Sequence, residues 1–86
     1  MSPRIIWTEP AQDDLDKLDR QVARQVDRAV RRLAETGRGD LIHLRPPLEG
    51  HRLRVRGWRV SLYLDMEAGT IMVRRVEHRS RAYRRR

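Results

Sequence analysis

Arginine side chains are concentrated in one short stretch of this 86-residue chain. They stand at Arg52, Arg54, Arg56 and, just after Gly57, at Arg59. A guanidinium group is planar, permanently protonated and able to donate two parallel hydrogen bonds, so clustered arginines suit the binding of phosphate oxygens. The same group is a poor general base because its pKa exceeds about 12. The pattern therefore predicts a surface that binds a polyanion and stabilises negative charge on it.

The composition of the whole chain supports this prediction. Lys and Arg together number 20 against 12 Asp and Glu, which gives a formal net charge of +8 and a pI near 11.4. Such a field attracts polyanions. Cysteine is absent, which excludes disulfides, thiolate nucleophiles and Cys-ligated zinc. The apolar runs are too short to span a bilayer and no apolar signal segment opens the sequence, so a cytoplasmic protein without a membrane partner is expected.

The arginines lie on a predicted β-hairpin. Apolar and polar residues alternate from His51 to Val55 and again from Trp58 to Leu64. If residues 56 and 57 form the turn, Val55 faces Trp58, Arg54 faces Arg59 and Arg52 faces Ser61. Like charges directly opposite each other destabilise a sheet, so three arginines on one face favour an anionic ligand over a merely solvated surface.

The first half of the chain predicts a strand followed by two helices. Residues 5–7 are β-prone, and Thr8 is placed to cap a helix that has Pro10 in its first turn. Apolar residues then recur at helical spacing in two stripes that are interrupted near residues 19–21, and Gly37 provides the stop of the second helix. The two stripes predict an αα-hairpin.

The second half predicts the strands of a sheet. Residues 37–50 lack periodicity and contain two prolines, which indicates a loop or a weak edge segment. After the hairpin, a turn at residues 67–69 leads to a strand from Thr70 to Val76 and then to a polar, basic tail. The prediction is one α+β domain over residues 1–86, in the order β-α-α-β-β-β, with the αα-hairpin on one face of an antiparallel sheet. Trp7 and Trp58 are expected to anchor its core.

Three segments of the sequence resemble RelE-type toxins of the RelE/ParE superfamily. They read HRLRVRGWRVSLYLD from His51, TIMVRRV from Thr70 and EHRSRAY from Glu77. In these toxins a basic strand leads through a glycine to an aromatic-Arg pair, and later to an HR motif followed by a tyrosine. The resemblance extends over nearly the whole chain, since the predicted helical hairpin also fits.

The resemblance implies the toxin of a type II toxin-antitoxin system. Its activity would be endoribonucleolytic cleavage of messenger RNA in the ribosomal A site, without a metal or other cofactor, and a cognate antitoxin would neutralise it. Arg59 and Arg79 would hold the scissile phosphate, Arg52 and Arg54 would add positive field, and Tyr83 would carry a proton or stack on a base. The residues expected to contact RNA around this catalytic group are Arg56, His51, His78, Arg81 and Arg84.

The general base is left open by the sequence. RelE has lysines on the strand where this chain has Arg52 and Arg54, and arginine does not replace lysine as a base. Tyr83, His51 and His78 are the alternatives, and two glutamates, at positions 49 and 77, are weaker ones.

Two other functions fit the same sequence. One is a non-catalytic toxin of the ParE kind that inhibits DNA gyrase, and the other is a plain RNA-binding module. A further run of arginines on the second helix is either a solvated face or a docking surface for an acidic antitoxin segment. Its members are Arg20, Arg24, Arg28, Arg31 and Arg32.

Overall fold

The computed structural model describes residues 2–46 and 50–80 of the chain. The order of elements along it is β1 (Arg4–Trp7), α1 (Glu9–Asp16), α2 (Arg20–Thr36), β2 (Leu41–His43), β3 (His51–Val55), β4 (Trp58–Asp65) and β5 (Thr70–His78). The predicted α+β class and the order of strands and helices are confirmed. One short strand, β2, is added in the segment interpreted as a loop or weak edge, where three residues are too few to show an alternation.

The strands form one sheet in the order β1-β5-β4-β3-β2. Strands β3, β4 and β5 pair antiparallel as predicted, and β2 pairs antiparallel with β3. β1 instead pairs with β5 in parallel, with Arg4 opposite Thr70 and Trp7 opposite Val73. The sheet is therefore mixed rather than purely antiparallel. The partner and direction of β1 depend on a strand far away in the chain, which no local pattern of residues encodes.

The helix ends carry capping interactions, of which those at Thr8 and Gly37 were predicted. The hydroxyl oxygen of Thr8 accepts a hydrogen bond from the backbone N–H of Ala11 at 3.3 Å, and the carboxylate of Asp19 accepts one from Gln21 at 3.1 Å. Gly37 ends α2 in a left-handed conformation with φ of 75°, from which its N–H reaches the carbonyl of Leu33. The break between the helices thus falls at the predicted position.

The core lies between the two helices and one face of the sheet. Its helical side is formed by Ala11 on α1 and by one stripe of α2, and every second residue of the central strands faces it. Trp7 and Trp58 are partly buried and pack against it, as predicted. The buried members are Ala11, Val26, Val30, Leu33, Ala34, Leu53, Val60, Leu62, Ile71, Val73 and Val76. The other face of the sheet, called the outer face below, carries the arginines of the hairpin.

Helix α1 closes the edge of β5 beyond the end of β1. The backbone N–H of Val76 has no strand beside it, and it donates instead to the carboxylate of Asp14 at 2.9 Å. Arg75 donates to the same carboxylate at 2.8 Å and 3.3 Å. Burial raises the pKa of Asp14, but the hydrogen bonds from Arg75 and Val76 outweigh it, so the pKa lies below the usual 3.8. The carboxylate of Asp14 therefore pairs with a backbone donor of β5 that no neighbouring strand reaches.

We expect Asp14→Ala to lower the free energy of unfolding by about 1–3 kcal/mol at pH 7, because it leaves Val76 and Arg75 without their acceptor. The folded state holds the carboxylate ionised, so its contribution is present above the unfolded pKa of 3.8 and is lost as the pH falls below that value. Urea unfolding at pH 7 and near pH 3 measures both effects. The exposed Asp13→Ala is the matched control, and a difference between wild type and Asp14→Ala that does not shrink in acid would contradict this account.

Candidate functional site

The predicted hairpin register is confirmed residue by residue. Arg54 lies opposite Arg59, Arg52 opposite Ser61 and Val55 opposite Trp58, with Arg56 and Gly57 between the strands. Arg56 has a φ of 58°, the left-handed region that non-glycine residues avoid. Unfavourable backbone of this kind is characteristic of functional sites, where the surrounding structure maintains it.

Four arginines line one cavity at the turn of this hairpin. The cavity has a volume of about 400 Å³ and is bordered also by Asp40, Gly57 and Trp58. We call this cavity the arginine pocket, and the arginines that line it are Arg54, Arg56, Arg59 and Arg79. Three of these arginines lie close together in the hairpin, and Arg79 joins them from the segment after β5.

Asp40 orients Arg54 within the arginine pocket. Its two carboxylate oxygens accept hydrogen bonds from the guanidinium of Arg54 at 3.1 Å and 3.0 Å, and its backbone carbonyl accepts one from the Arg54 N–H at 2.9 Å. Both side chains are about half exposed, so the ion pair itself adds little stability. Its effect is to fix the direction of one guanidinium and to bring a carboxylate to the pocket. Sequence reasoning missed Asp40, since it stands alone in an aperiodic segment.

Strand β5 brings Arg79 to the pocket by running two residues further than predicted. His78 lies opposite Trp58, and the two rings meet edge to face with centroids 5.0 Å apart. The next residue, Arg79, donates its backbone N–H to the carbonyl of Gly57 at 2.8 Å. A side chain at Gly57 would stand 3.0 Å from the His78 ring, so glycine allows the turn and the end of β5 to approach this closely.

The other predicted site residues lie in several places. Arg52 is on the outer face beside the pocket but does not line it. His78 borders the turn, where its Nδ1 lies 2.9 Å from the hydroxyl of Ser80. Glu77 is opposite Arg59 on the neighbouring strand. The residues outside the described part of the chain are Glu49, Arg81, Tyr83 and Arg84.

His51 is separated from the arginines. It lies on the same face of β3 as Leu53, which is buried, and its ring stacks on that of His43 with centroids 4.6 Å apart. Burial, together with the charge of His43, lowers the pKa of His51 below the usual 6.5, so the ring is neutral at pH 7. A neutral imidazole at the far end of β3 is poorly placed to serve chemistry at the arginine pocket.

The arrangement suits the binding of one phosphate group by several guanidinium groups. Hydrogen bonds from fixed cations strengthen as negative charge grows on the phosphate oxygens, which stabilises a transition state more than a ground state. Among residues 2–46 and 50–80, no three His, Asp or Glu side chains are grouped as metal ligands. No helix in this part of the chain is long and apolar enough to cross a membrane.

Solved structures share this fold. A chain of the toxin-antitoxin complex RelBE2 from Mycobacterium tuberculosis matches with a TM-score of 0.81 and 26% identity, over 92% of this chain and 100% of that one. The archaeal RelE-RelB complex from Pyrococcus horikoshii matches with a TM-score of 0.77 and 18% identity, over 94% and 99% of the two chains. A mutant of the Escherichia coli toxin RelE in the free state matches with a TM-score of 0.77 and 19% identity, over 96% and 90%.

Sequence comparison gives the family. No curated protein sequence matches the chain. A family model described as the ParE toxin of the type II toxin-antitoxin system parDE matches residues 5–83, nearly the whole length. The chain therefore belongs to the ParE toxin family and is a toxin of a type II toxin-antitoxin system within the RelE/ParE superfamily.

Proposed function

We propose that this toxin is an endoribonuclease whose arginine pocket binds and cleaves a phosphodiester of RNA. The observation that carries the proposal is the meeting of Arg54, Arg56, Arg59 and Arg79 around one opening on the outer face of the sheet. An anionic group at this opening would lie within reach of several guanidinium donors at once. Messenger RNA on the ribosome, in the A site, is the substrate that the resemblance to RelE-type toxins implies.

The proposed reaction is a transfer within the RNA. The ribose 2′-OH attacks the adjacent phosphorus, the bond to the 5′-oxygen breaks, and the products are a 2′,3′-cyclic phosphate and a 5′-OH end. Arg59 and Arg79 hold the non-bridging oxygens as charge grows on them, while Arg54, directed by Asp40, and Arg52 contact the neighbouring backbone. The reaction as proposed needs no metal or other cofactor.

One proton must leave the 2′-OH and another must reach the 5′-oxygen. Asp40 is a carboxylate at the pocket itself, and His78 borders the turn that forms the pocket. Tyr83, which lies outside the described residues, is the third candidate. We favour these groups over His51, since His51 lies at the other end of β3.

The expected protein partner is a cognate antitoxin. The solved structures from M. tuberculosis and P. horikoshii are toxin-antitoxin complexes. The exposed arginines on α2 remain a proposed docking surface for an acidic antitoxin segment, with Arg31 already paired to Asp27 at 3.1 Å. The cytoplasm is the expected location of the ribosome-directed activity.

A second candidate is a non-catalytic toxin that inhibits DNA gyrase. It is favoured by the family model, which is that of ParE rather than RelE. The strand arginines in place of lysines fit this candidate too, because they remove the residue type most suited to proton transfer. Family membership favours either toxin over a plain RNA-binding module.

Two assays on the purified protein separate the candidates. Incubation with translating ribosomes, followed by mapping of messenger RNA ends, is expected to show new cuts at A-site codons. The parallel assay measures supercoiling by DNA gyrase with increasing toxin. Inhibited supercoiling with intact messenger RNA would overturn the ribonuclease proposal and establish the second candidate.

A further inference from the structure

The outer face continues from the arginine pocket toward an exposed aromatic ring. Along β4 the side chains of Arg59, Ser61 and Tyr63 follow one another on this face, and Tyr63 is 41% exposed. Tyr63 is four residue steps along the strand from Arg59, a distance of roughly 13 Å. A phosphate held at the arginine pocket and a group lying on Tyr63 would therefore belong to neighbouring parts of one short ligand.

A β-bulge places an extra cation next to this ring. Ser61 lies opposite Arg75 and Leu62 opposite Val73, so Arg74 is the additional residue on β5. Its guanidinium carbon lies 5.6 Å from the centroid of the Tyr63 ring, within cation-π distance. Tyr63 therefore combines a partly exposed ring with a neighbouring positive charge that can attract a phosphate.

A cavity opens beside Tyr63 at the edge of β4. Strand β3 pairs with β4 only as far as Leu62, so the next residues of β4 have no strand on that side. The cavity has a volume of about 420 Å³, a size suited to small planar ligands. It is lined by His43, Leu44, Pro46, Gly50, His51, Tyr63 and Leu64.

Two histidines line this cavity together with Tyr63. The rings of His43 and His51 are stacked, with an angle of 14° between their planes, and they line the cavity from the face of the sheet opposite to that of Tyr63. The Nδ1 atom of His51 is buried and has no hydrogen-bond partner among the described residues. Because buried polar atoms are normally paired, this nitrogen is an exception beside the cavity.

Gly50 allows the backbone that lines the cavity to lie close to β4. It has a φ of 90°, and a side chain there would stand 2.5 Å from the carbonyl oxygen of Leu62 and 3.3 Å from the ring of Tyr63. Only glycine allows the backbone to pass this close to β4 without displacing the tyrosine.

We propose that Tyr63 and the cavity beside it form a binding site for an unpaired nucleobase of RNA, whose phosphates follow Arg74 and the hairpin arginines to the arginine pocket. This inference rests on the proposed function in one respect, namely that RNA is the ligand. Aromatic rings bind bases of single strands by stacking, and arginines beside them hold the sugar-phosphate backbone. A duplex would not fit, because its bases are already stacked.

The test compares two labelled oligomers of equal charge, each about ten units long, within the site sizes of small single-strand binders. One is 2′-O-methyl adenosine RNA, which cannot be cleaved by 2′-OH attack, and the other carries abasic spacers in place of every nucleotide. Fluorescence anisotropy gives Kd for both. We expect wild type to bind the base-carrying oligomer about tenfold more tightly than the abasic one. Tyr63→Ala should abolish this preference, while Tyr63→Phe and the exposed control Met66→Ala should keep it.

The outcomes separate this inference from the ribonuclease proposal. A folded Tyr63→Ala variant, verified by circular dichroism, that still prefers the base-carrying oligomer overturns the nucleobase site, whatever the cleavage assay shows. A lost preference supports the site even if messenger RNA stays intact, since these oligomers measure binding alone. Wild type that binds both oligomers equally, or neither, also overturns it.

Discussion

Arg79→Ala is expected to lower the rate of RNA cleavage by about 100- to 1,000-fold, the usual loss when one positioned donor to a transition-state oxyanion is removed. Arg79 lies at the arginine pocket through its side chain, while its backbone N–H, which the substitution retains, binds the carbonyl of Gly57. The side chain is exposed and makes no part of the core, so the fold should be kept. Single-turnover cleavage with saturating toxin measures the chemical step.

Two further variants sharpen the result. Arg79→Lys retains the charge but loses the two-pronged donor, so its rate should fall between those of wild type and Arg79→Ala. Arg24→Ala removes the same charge from the exposed side of α2 and should leave cleavage close to wild type. If a folded Arg79→Ala protein cleaves at the full rate, this residue has no part in the mechanism. If Arg24→Ala is equally impaired, the net charge rather than the pocket is responsible.

Leu62→Ala is expected to lower the free energy of unfolding by about 3 kcal/mol, within the range observed when a buried leucine is truncated and a cavity remains. Leu62 is 1% exposed and lies in β4, a strand paired on both sides by β3 and β5. Small domains are stable by only about 5–15 kcal/mol, so the loss is a large fraction of the total. The expected fall in Tm is on the order of 10–20 °C.

Chemical denaturation of wild type, Leu62→Ala and a surface control tests this prediction. Met66→Ala is the control, because that side chain is 81% exposed and its removal should change stability by no more than about 0.5 kcal/mol. A loss below about 1 kcal/mol for Leu62→Ala would mean that the space closes on truncation or that the core is packed elsewhere.

The hairpin could be predicted in detail because its determinants are local. Strict alternation on both strands and a two-residue turn at Arg56 and Gly57 allow one register, and that register places Arg54 opposite Arg59. The helix caps were predictable for the same reason, since Thr8 and Asp19 act on backbone groups two or three residues away.

The features that were missed depend on distant contacts or on short segments. Asp40 reaches Arg54 across a separation of 14 residues, and the carboxylate of Asp14 reaches Val76 across 62. The end of β5 was assigned to the polar tail because of its charged residues. The alternation of Val76 with His78 was the signal that could have extended it. Tyr63 was treated only as a polar position in an alternating strand, although its exposed ring is what the outer face offers to a base.

The parallel pairing of β1 with β5 has a consequence for how the toxin is made. Thr8, at the end of β1, bonds to Val73 across 65 residues of chain, so the first strand stays unpaired until the last one is synthesised. A nascent chain that stops before β5 also lacks Ile71, Val73 and Val76 from its core. Non-local pairing of this kind delays folding. Aborted translation products of this toxin should therefore be unfolded and harmless to the cell that makes them.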